Sequence, residues 1–509
     1  MQKAKRYFNT SGPNILARHY TLLREQLVMR GMELVEEERY FTIWAPRQTG
    51  KSTYFRLLAE NLKQKDYKVV HINVESFLEA PLRSLFTYLL DEIKRHWGKD
   101  WQLETLSDLF NAIKSVNDGR YVLIIDEIEH LNPAYFGQFL HTIRNLYHSR
   151  EDHGLKSVIL VGVSNILGII EDHASPFNIA DNLDIPYFTQ EETFDLLHQH
   201  ELETGQLFEE SAKAKISDIT ANQPGLVNGF AYQLTKRCEG KEVISYDDYL
   251  RVEDWYITEA IDKNVSNVLK HARKHRAFVE QLLYTEVNVP FRINRSEIKA
   301  LHTIGLIQKD ADGNVAFWVP LYKKVLYDAF YPIFNGESDY FFSHIADFFD
   351  LVKGGRIDFD FLIQNYKDYV KRRSFKAFRE KDSSTGKYLS IKEAALKYSF
   401  ETYVSLFLDR IGAKAYTEVD TGLGKSDILI NYQGAEYVIE AKVYRESYQV
   451  QKGLNQLAYY CRSISISEGI YLIFAANQVS VKGITEGIRE VKGVKIRVYI
   501  VAFDEEKDF

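Results

Sequence analysis

The sequence predicts a multidomain α/β protein: a mostly parallel sheet near the N-terminus, helical modules in the middle, and a second, smaller α/β sheet at the C-terminus. Three observations carry this. Over residues 1–189, short apolar runs alternate with amphipathic stretches at helical spacing, the pattern of strand–helix–strand crossovers. Residues 190–265 keep only the helical spacing, and residues 392–509 return to short apolar strands. At 509 residues the chain also exceeds what one core holds, roughly 250–300 residues.

Taken in order, strands are expected at 40–44, 68–74, 121–125 and 156–161, with amphipathic helices such as 82–97 and 135–147 between them. The helical stretch 190–265 is punctuated by Gln223-Pro224-Gly225. Residues 266–335 read as helices followed by a hairpin with Asp312-Gly313 as its turn, the layout of a winged helix. Residues 336–391 read as a helical bridge. Within 392–509, a helix at 392–409 leads into paired strands at 427–432 and 435–442. A helix near 454–460 and strands at 470–475 and 495–503 follow.

Composition narrows the class. Hydrophobic residues make up 45% and aromatic residues 14%, spread along the whole chain, which suits packed cores and argues against long disordered tails. A net charge of −7 excludes a globally basic nucleic-acid coat, so contact with nucleic acid would need local patches. The candidates are Lys270 to Arg276 and Lys371 to Lys381, each equally readable as a solvated helix face. The N-terminus lacks an apolar leader, and no run approaches the roughly 18 apolar residues of a membrane span. The two cysteines, Cys238 and Cys461, stand in no metal-binding spacing. A cytoplasmic protein is expected, with no membrane partner.

Two constellations carry chemistry. The first is Pro46, Arg47, Gln48, Thr49, Gly50, Lys51, Ser52 and Thr53, lying between an expected strand and an expected helix. Backbone N–H groups of such a loop, backed by a helix N-terminus, cradle phosphates. Lys51 would reach the outer phosphates and Ser52 would ligate Mg2+. Ala45 stands where such loops begin with glycine. The apolar strand 121–125 then delivers Asp126, to hold Mg2+, and Glu127, to polarise an attacking water. ATP and Mg2+ are the implied cofactors.

These motifs resemble the Walker A and Walker B elements of AAA-type P-loop ATPases near the origin-recognition and STAND groups. Further likeness lies in Phe8 to Pro13, Ser175 to Ile179 and Asn222 to Gly225. The resemblance implies that Ser164 and Asn165 sense the γ-phosphate, that Phe8 to Pro13 lies near the adenine, and that Gln223 to Gly225 faces the nucleotide from a helical lid. It leaves Arg144 and Arg150 as arginine-finger candidates and allows a homo-oligomer.

The second constellation is Asp427, Glu440 and Lys442. Alternation places Glu440 and Lys442 on one face of a strand, and a hairpin brings Asp427 beside them. Clustered carboxylates raise each other's pKa unless a cation neutralises them, which points to a divalent ion, Mg2+ by its oxygen preference. This pattern resembles the PD-(D/E)XK nuclease superfamily, with Ser426 in place of the usual proline. The resemblance implies a restriction-endonuclease-like fold and metal-dependent phosphodiester hydrolysis, with Mn2+ as a substitute ion. It also implies an extra acidic ligand at Glu401 and a helix carrying Gln456 and Tyr460. Glu418 and Asp420 read as loop acids. His71, His141, His198 and His200 read as structural residues and not as ligands.

The reading is therefore an ATP-binding and ATP-hydrolysing protein controlling a nuclease, with nucleic acid as partner, DNA ahead of RNA, in a role such as defence against foreign DNA. The alternative is an ATP-dependent switch whose C-terminal domain only binds nucleic acid or a protein.

Overall fold

The structure is a computed structural model that describes residues 5–117, 119–162, 181–260, 262–284, 288–330, 351–372, 375, 391, 393–411, 413–420, 425–477 and 479–504. The chain divides into two compact units. Met1–His271 and Phe291–Tyr322 form the first; Ala272–Pro290 and Lys323–Phe509 form the second.

In the first unit, α1 (Glu25–Glu36), β1 (Phe41–Trp44), α2 (Lys51–Gln64), β2 (Tyr67–Asn73), α3 (Leu82–Trp97), α4 (Leu106–Lys114), β3 (Arg120–Asp126), α5 (Pro133–His148), β4 (Leu155–Gly162) and β5 (Asp181–Asn182) build one sheet and its flanking layers. The strand order is β2-β3-β4-β1-β5, and every pairing is parallel. The four strands expected from sequence lie within a residue or two of their predicted bounds. Strand β5, two residues long, carries too little pattern to be read. Strand β3 is buried on both faces, which explains its unbroken apolar run. Its side chains alternate: Leu123 and Ile125 pack with Leu89, Leu109 and Leu140 on one side, while Val122 and Ile124 pack with Phe55 and Leu58 on the other.

A helical module follows: α6 (Gln190–Thr204), β6 (Leu207–Phe208), α7 (Glu210–Thr220), α8 (Pro224–Arg237), β7 (Val243–Ile244) and α9 (Tyr246–Thr258). Thr189 and Ser245 start their helices with reciprocal capping boxes to Glu192 and Asp248. Ala221 and Asn222 both take left-handed conformations, and Pro224 occupies the first turn of α8.

Helices α10 (Lys263–Lys274), α11 (Arg276–Tyr284) and α12 (Ser296–Thr303), the antiparallel strands β8 (Ile307–Lys309) and β9 (Val315–Phe317), and α13 (Pro320–Phe330) supply the elements expected of a winged helix. They do not form a unit of their own. Helix α12 and the hairpin belong to the first unit, and α11 with most of α13 belongs to the second, where the Tyr327 hydroxyl donates to the Leu283 carbonyl at 2.7 Å. The hairpin is joined by residues 310–314 and not by a two-residue turn. The Asp310 carboxylate accepts from the amides of Asp312 and Asn314, stabilising the longer loop, and Gly313 takes φ 84° within it.

The second unit adds β10 (Val352–Lys353), β11 (Arg356–Ile357), α14 (Phe359–Arg372), α15 (Glu393–Ile411), β12 (Lys414–Asp420), β13 (Lys425–Tyr432), β14 (Ala435–Val443), α16 (Ser447–Ser463), β15 (Glu468–Ala476), β16 (Gly487–Val491) and β17 (Val494–Phe503). The mixed six-stranded sheet runs β12-β13-β14-β15-β17-β16, with parallel pairing between β14, β15 and β17 and antiparallel pairing elsewhere. Strands β12 and β16, at its two edges, were not read from sequence. Helix α14, expected in a bridge over 336–391, belongs to this unit: buried Tyr366 packs against Phe400 and Phe474 and donates to Ser399 at 3.2 Å. The rest of that expected bridge lies largely outside the described residues. Among the described residues, no helix is long and apolar enough to cross a membrane.

Candidate functional sites

The phosphate loop leaves β1 at Ala45 and enters α2 at Lys51. Two residues in left-handed conformations shape it, Gln48 at φ 58° and Gly50 at φ 89°. Gly50 suits that backbone without cost, whereas Gln48 holds it under strain of order 1–3 kcal/mol. Thr49 is buried and donates to the Pro46 carbonyl at 3.1 Å. Arg47 is exposed, and Ser52 and Thr53 are half-buried. Lys51 is 7% exposed, and its ammonium donates to the carbonyls of Ala45 at 2.6 Å and Pro46 at 2.9 Å. Burial lowers its pKa to about 8, against the pull of Glu127, Glu129 and Asp126.

Those acids stand at the carboxyl end of β3. Asp126 is buried, accepts from the Glu127 amide at 3.0 Å and from Asn73 at 3.4 Å, and is raised to about 6 by burial and by Glu127. Glu127 takes φ 58° and starts a 3-10 turn at Ile128–His130; burial and Glu129 raise its pKa. The turn brings one ligand atom each from Glu127, Glu129 and His130 within 4.8 Å of one another. Sequence reading missed Glu129 and His130, although a short acidic turn directly after the strand was there to be seen. His71, discounted as a ligand, lies with Nε2 3.9 Å from Asp126 Oδ2, and burial lowers it to about 4, so it stays neutral. Asn165, with Ser164 and Ser175 to Ile179, lies outside the described residues.

Beside the loop opens a solvent-connected cleft. Asn9 to Gly12 and Asn14 line it from the N-terminal segment, Thr49, Gly50 and Thr53 from the loop, and Pro224, Gly225 and Asn228 from the start of α8. Two predicted neighbours of the nucleotide, the N-terminal segment and Pro224-Gly225 of the expected Gln223-Pro224-Gly225, thus flank one cleft. The Gly225 amide donates to the Gln48 carbonyl at 3.0 Å, and Asn264 Nδ2 donates to Gln48 Oε1. A Cβ on Gly225 would meet Gln48 Cβ at 2.6 Å, so only glycine allows this approach. The N-terminal segment is fastened to α6: Arg6 pairs with Glu203 at 2.8 Å, Thr21 exchanges two 3.1 Å bonds with Gln199, and Phe8 packs against His200.

In the second unit, β13, β14 and the first turns of α15 bring five charged side chains together. Asp427 Oδ2 accepts from the Ala441 amide at 2.8 Å, and its Oδ1 accepts from Lys397 at 2.7 Å. Glu393 Oε2 accepts from the Val443 amide at 3.1 Å, while its Oε1 meets Lys397 at 2.7 Å and Lys442 at 3.2 Å. Lys442 also lies 3.0 Å from Glu440 and 3.9 Å from Asp427. Burial opposes charge on Lys442, but Asp427, Glu440 and Glu393 outweigh it and raise its pKa; Lys397 and Lys442 likewise overcome burial and lower Glu393.

Glu440 differs from the others. It is 1% exposed, accepts no backbone amide among the described residues, pairs with the Lys442 ammonium at 3.0 Å, and is raised to about 7 by burial followed by Asp427. The predicted trio therefore meets. The acid contributed by α15 to these ion pairs is Glu393, two turns before Glu401, about 12 Å along the helix axis. Lys397, four residues after Glu393, was also missed. Its signal was the i, i+4 Glu–Lys spacing, which many solvated helices share. Gln456 donates to Tyr460 on its own helix, and no hydrogen bond joins it to the cluster. The side chains of Glu418, Asp420 and Ser426 lie outside those described.

A family model described as an AAA domain (AAA_22) matches residues 35–170, and one described as a domain of unknown function (DUF8371) matches residues 359–478. The first unit thus carries an AAA-type P-loop ATPase domain. No curated protein matches the chain. Among solved structures, similarity extends to the Walker-type ATPase PABY2304 of Pyrococcus abyssi, 16% identical, covering 63% of this chain and 99% of that one with a TM-score of 0.47. Cdc6p of Pyrobaculum aerophilum is 16% identical, with coverage of 63% and 97% and a TM-score of 0.37. RuvB T158V of Thermotoga maritima is 13% identical, with coverage of 61% and 94% and a TM-score of 0.37.

Proposed function

We propose that the chain couples ATP binding and hydrolysis in its first unit to metal-dependent cleavage of nucleic acid, DNA ahead of RNA, by its second. The observation that carries the nuclease half is Glu440, a carboxylate 1% exposed beside Asp427 that accepts no backbone amide among the described residues. With Lys442 shared among three acids, an ionised carboxylate in such a place is incompletely compensated, at a cost of several kcal/mol that a bound cation would recover.

In the first unit, loop amides and Lys51 would bind the phosphates, and Ser52 and Asp126 would hold Mg2+. Glu127, with its raised proton affinity, would orient the attacking water and accept its proton. In the second, Asp427 and Glu440, with Glu393 beside them, would hold Mg2+ or Mn2+. The bound ion would stabilise charge on a scissile phosphate and acidify a water. Lys442 would then orient that water as its oxygen bonds to phosphorus, while one P–O ester bond breaks and the leaving oxygen takes a proton.

Cleavage of single- and double-stranded DNA and RNA, measured with Mg2+ or Mn2+ and with or without ATP, tests this. Asp427→Ala and Lys442→Ala should each abolish cleavage; activity surviving both rejects the site. A role in defence against foreign DNA and assembly into homo-oligomers are consistent with this reading.

A second reading has its own support. Lys397 and Lys442 already place two ammonium groups among three carboxylates. On that reading the second unit only binds nucleic acid or protein, and the ATPase acts as a switch.

A further inference from the structure

The charge count in the second unit separates these readings and rests on the metal-site assignment just made. Glu393, Asp427 and Glu440 contribute three negative charges in their ionised forms, and Lys397 and Lys442 two positive ones, leaving a formal −1. Adding a divalent ion to that set leaves +1. Exchanging the ion for Lys397 leaves zero. A buried cluster favours the neutral outcome, because uncompensated charge is costly away from water.

Geometry agrees with the count. Lys397 Nζ sits 2.7 Å from Glu393 Oε1 and 2.7 Å from Asp427 Oδ1. An ion drawing on those two oxygens would need this position, at ligand distances of about 2.0–2.1 Å for Mg2+. The ammonium also keeps the carboxylates spread. Among the described residues, the one trio of acid or imidazole groups with ligand atoms all within 4.8 Å is that of Glu127, Glu129 and His130, not this one. Lys442 is held differently, since it touches all three acids and alternates with Glu440 on the same strand. Lys397 rides on α15 with its side chain 23% exposed, so its flexible four-carbon stem has a route to solvent.

We propose that Lys397 is a resident counter-ion occupying the position of a divalent cation, and that metal loading is an exchange in which its ammonium swings out of the carboxylate cluster. Lys397 is then a positioning residue that sets metal affinity in competition with the ion, and Glu393 Oε1 and Asp427 Oδ1 are the oxygens it surrenders. In the metal-free protein the two ammonium groups offset two of the three carboxylates, and the site becomes a hydrolytic one only above a threshold of free metal.

The test is Mn2+ titration of the full chain without nucleotide, followed by calorimetry and by Mn2+ electron paramagnetic resonance. Glu440→Gln defines binding elsewhere in the chain. Lys397→Met should bind Mn2+ at least tenfold more tightly than the parent, and Lys397→Arg, which keeps the charge, should gain no affinity. Thermal unfolding adds a readout independent of activity. Without metal, Lys397→Met should unfold at lower temperature than the parent, and saturating Mn2+ should close that gap. Should Lys397→Met not fold without metal, refolding in Mn2+ with recovery of the resonance signal supports the exchange, and failure to recover overturns it. Unchanged or weaker Mn2+ binding by a folded Lys397→Met variant overturns the exchange while leaving the metal site standing. If neither the parent nor Lys397→Met binds Mn2+ beyond the Glu440→Gln background, the metal site itself is rejected.

Discussion

The phosphate loop and the carboxylate cluster solve opposite electrostatic problems. The first gathers donors for an anion: loop amides, a helix N-terminus and a single lysine that meanwhile bonds to the loop's own carbonyls. The second gathers three carboxylates, proposed above to take a cation, and holds them with two lysines. In the first, the ligand-binding groups are mostly backbone and contiguous in sequence. In the second, they are side chains from a helix and two strands. The contrast teaches that a site built from one turn tolerates variation in its side chains, whereas a site assembled from three elements depends on each residue.

The strongest way to break this comparison is to remove one site and watch the other. Lys51→Ala should weaken ATP binding on the order of a hundredfold, because it deletes the buried charge proposed to meet the phosphates. Mn2+ binding by the second unit should stay within about twofold. Nucleotide titration of the variant beside Mn2+ titration checks both, and a joint loss would mean that the sites are not independent.

Glu440→Gln should abolish cation binding in the second unit and stabilise the metal-free protein. The folded pKa of Glu440, about 7, lies above its ordinary 4.5. The protonated form's contribution is therefore whole below about pH 4.5 and lost as pH rises through about 7. Above that, the ionised group costs about 3 kcal/mol, which the variant escapes. Urea unfolding should show that gain at pH 8 and little difference near pH 4.5. No gain at pH 8 would mean the carboxylate is better compensated than its geometry implies.

The two sites should also answer pH in opposite directions. Lys51, lowered to about 8, loses its proton as pH rises from 7 to 9, so ATP affinity should fall about tenfold. Glu440 loses its proton between pH 6 and 8, so Mn2+ affinity should rise about tenfold over that range. Parallel slopes would remove the distinction drawn between the sites.

The smallest expected effect is at the start of α8. Gly225→Ala places a methyl group against Gln48 and should raise the Kd for ATP about fivefold while leaving Mn2+ binding alone. Isothermal titration reads both, and an unchanged Kd would mean that the contact does not shape the cleft.

Legibility followed the same division. The phosphate loop and the strand ending in Asp126-Glu127 were readable because contiguous motifs fix their own geometry. Asp427, Glu440 and Lys442 were readable because a hairpin has a period of two. Glu393 was not, since its place depends on where the first turn of α15 meets the end of β14, a tertiary fact with no local signature. Lys397 had the spacing of an ordinary solvated helix pair. The edge strand β16 and the short β5 escaped notice because an edge position or a two-residue length leaves little burial pattern to read. The loop at 310–314 was misread because Asp312-Gly313 suits a tight turn, while the Asp310 carboxylate organises a wider one.

The attachment of the N-terminal segment to α6 bears on how quickly spent nucleotide could leave. Through Arg6, Phe8 and Thr21, that segment is tethered to the helical module, so a displacement of α6 would draw one wall of the cleft with it. Turnover would then be limited by a single opening step and not by two separate ones. Severing the Arg6–Glu203 pair would quicken exchange without touching any phosphate-binding group.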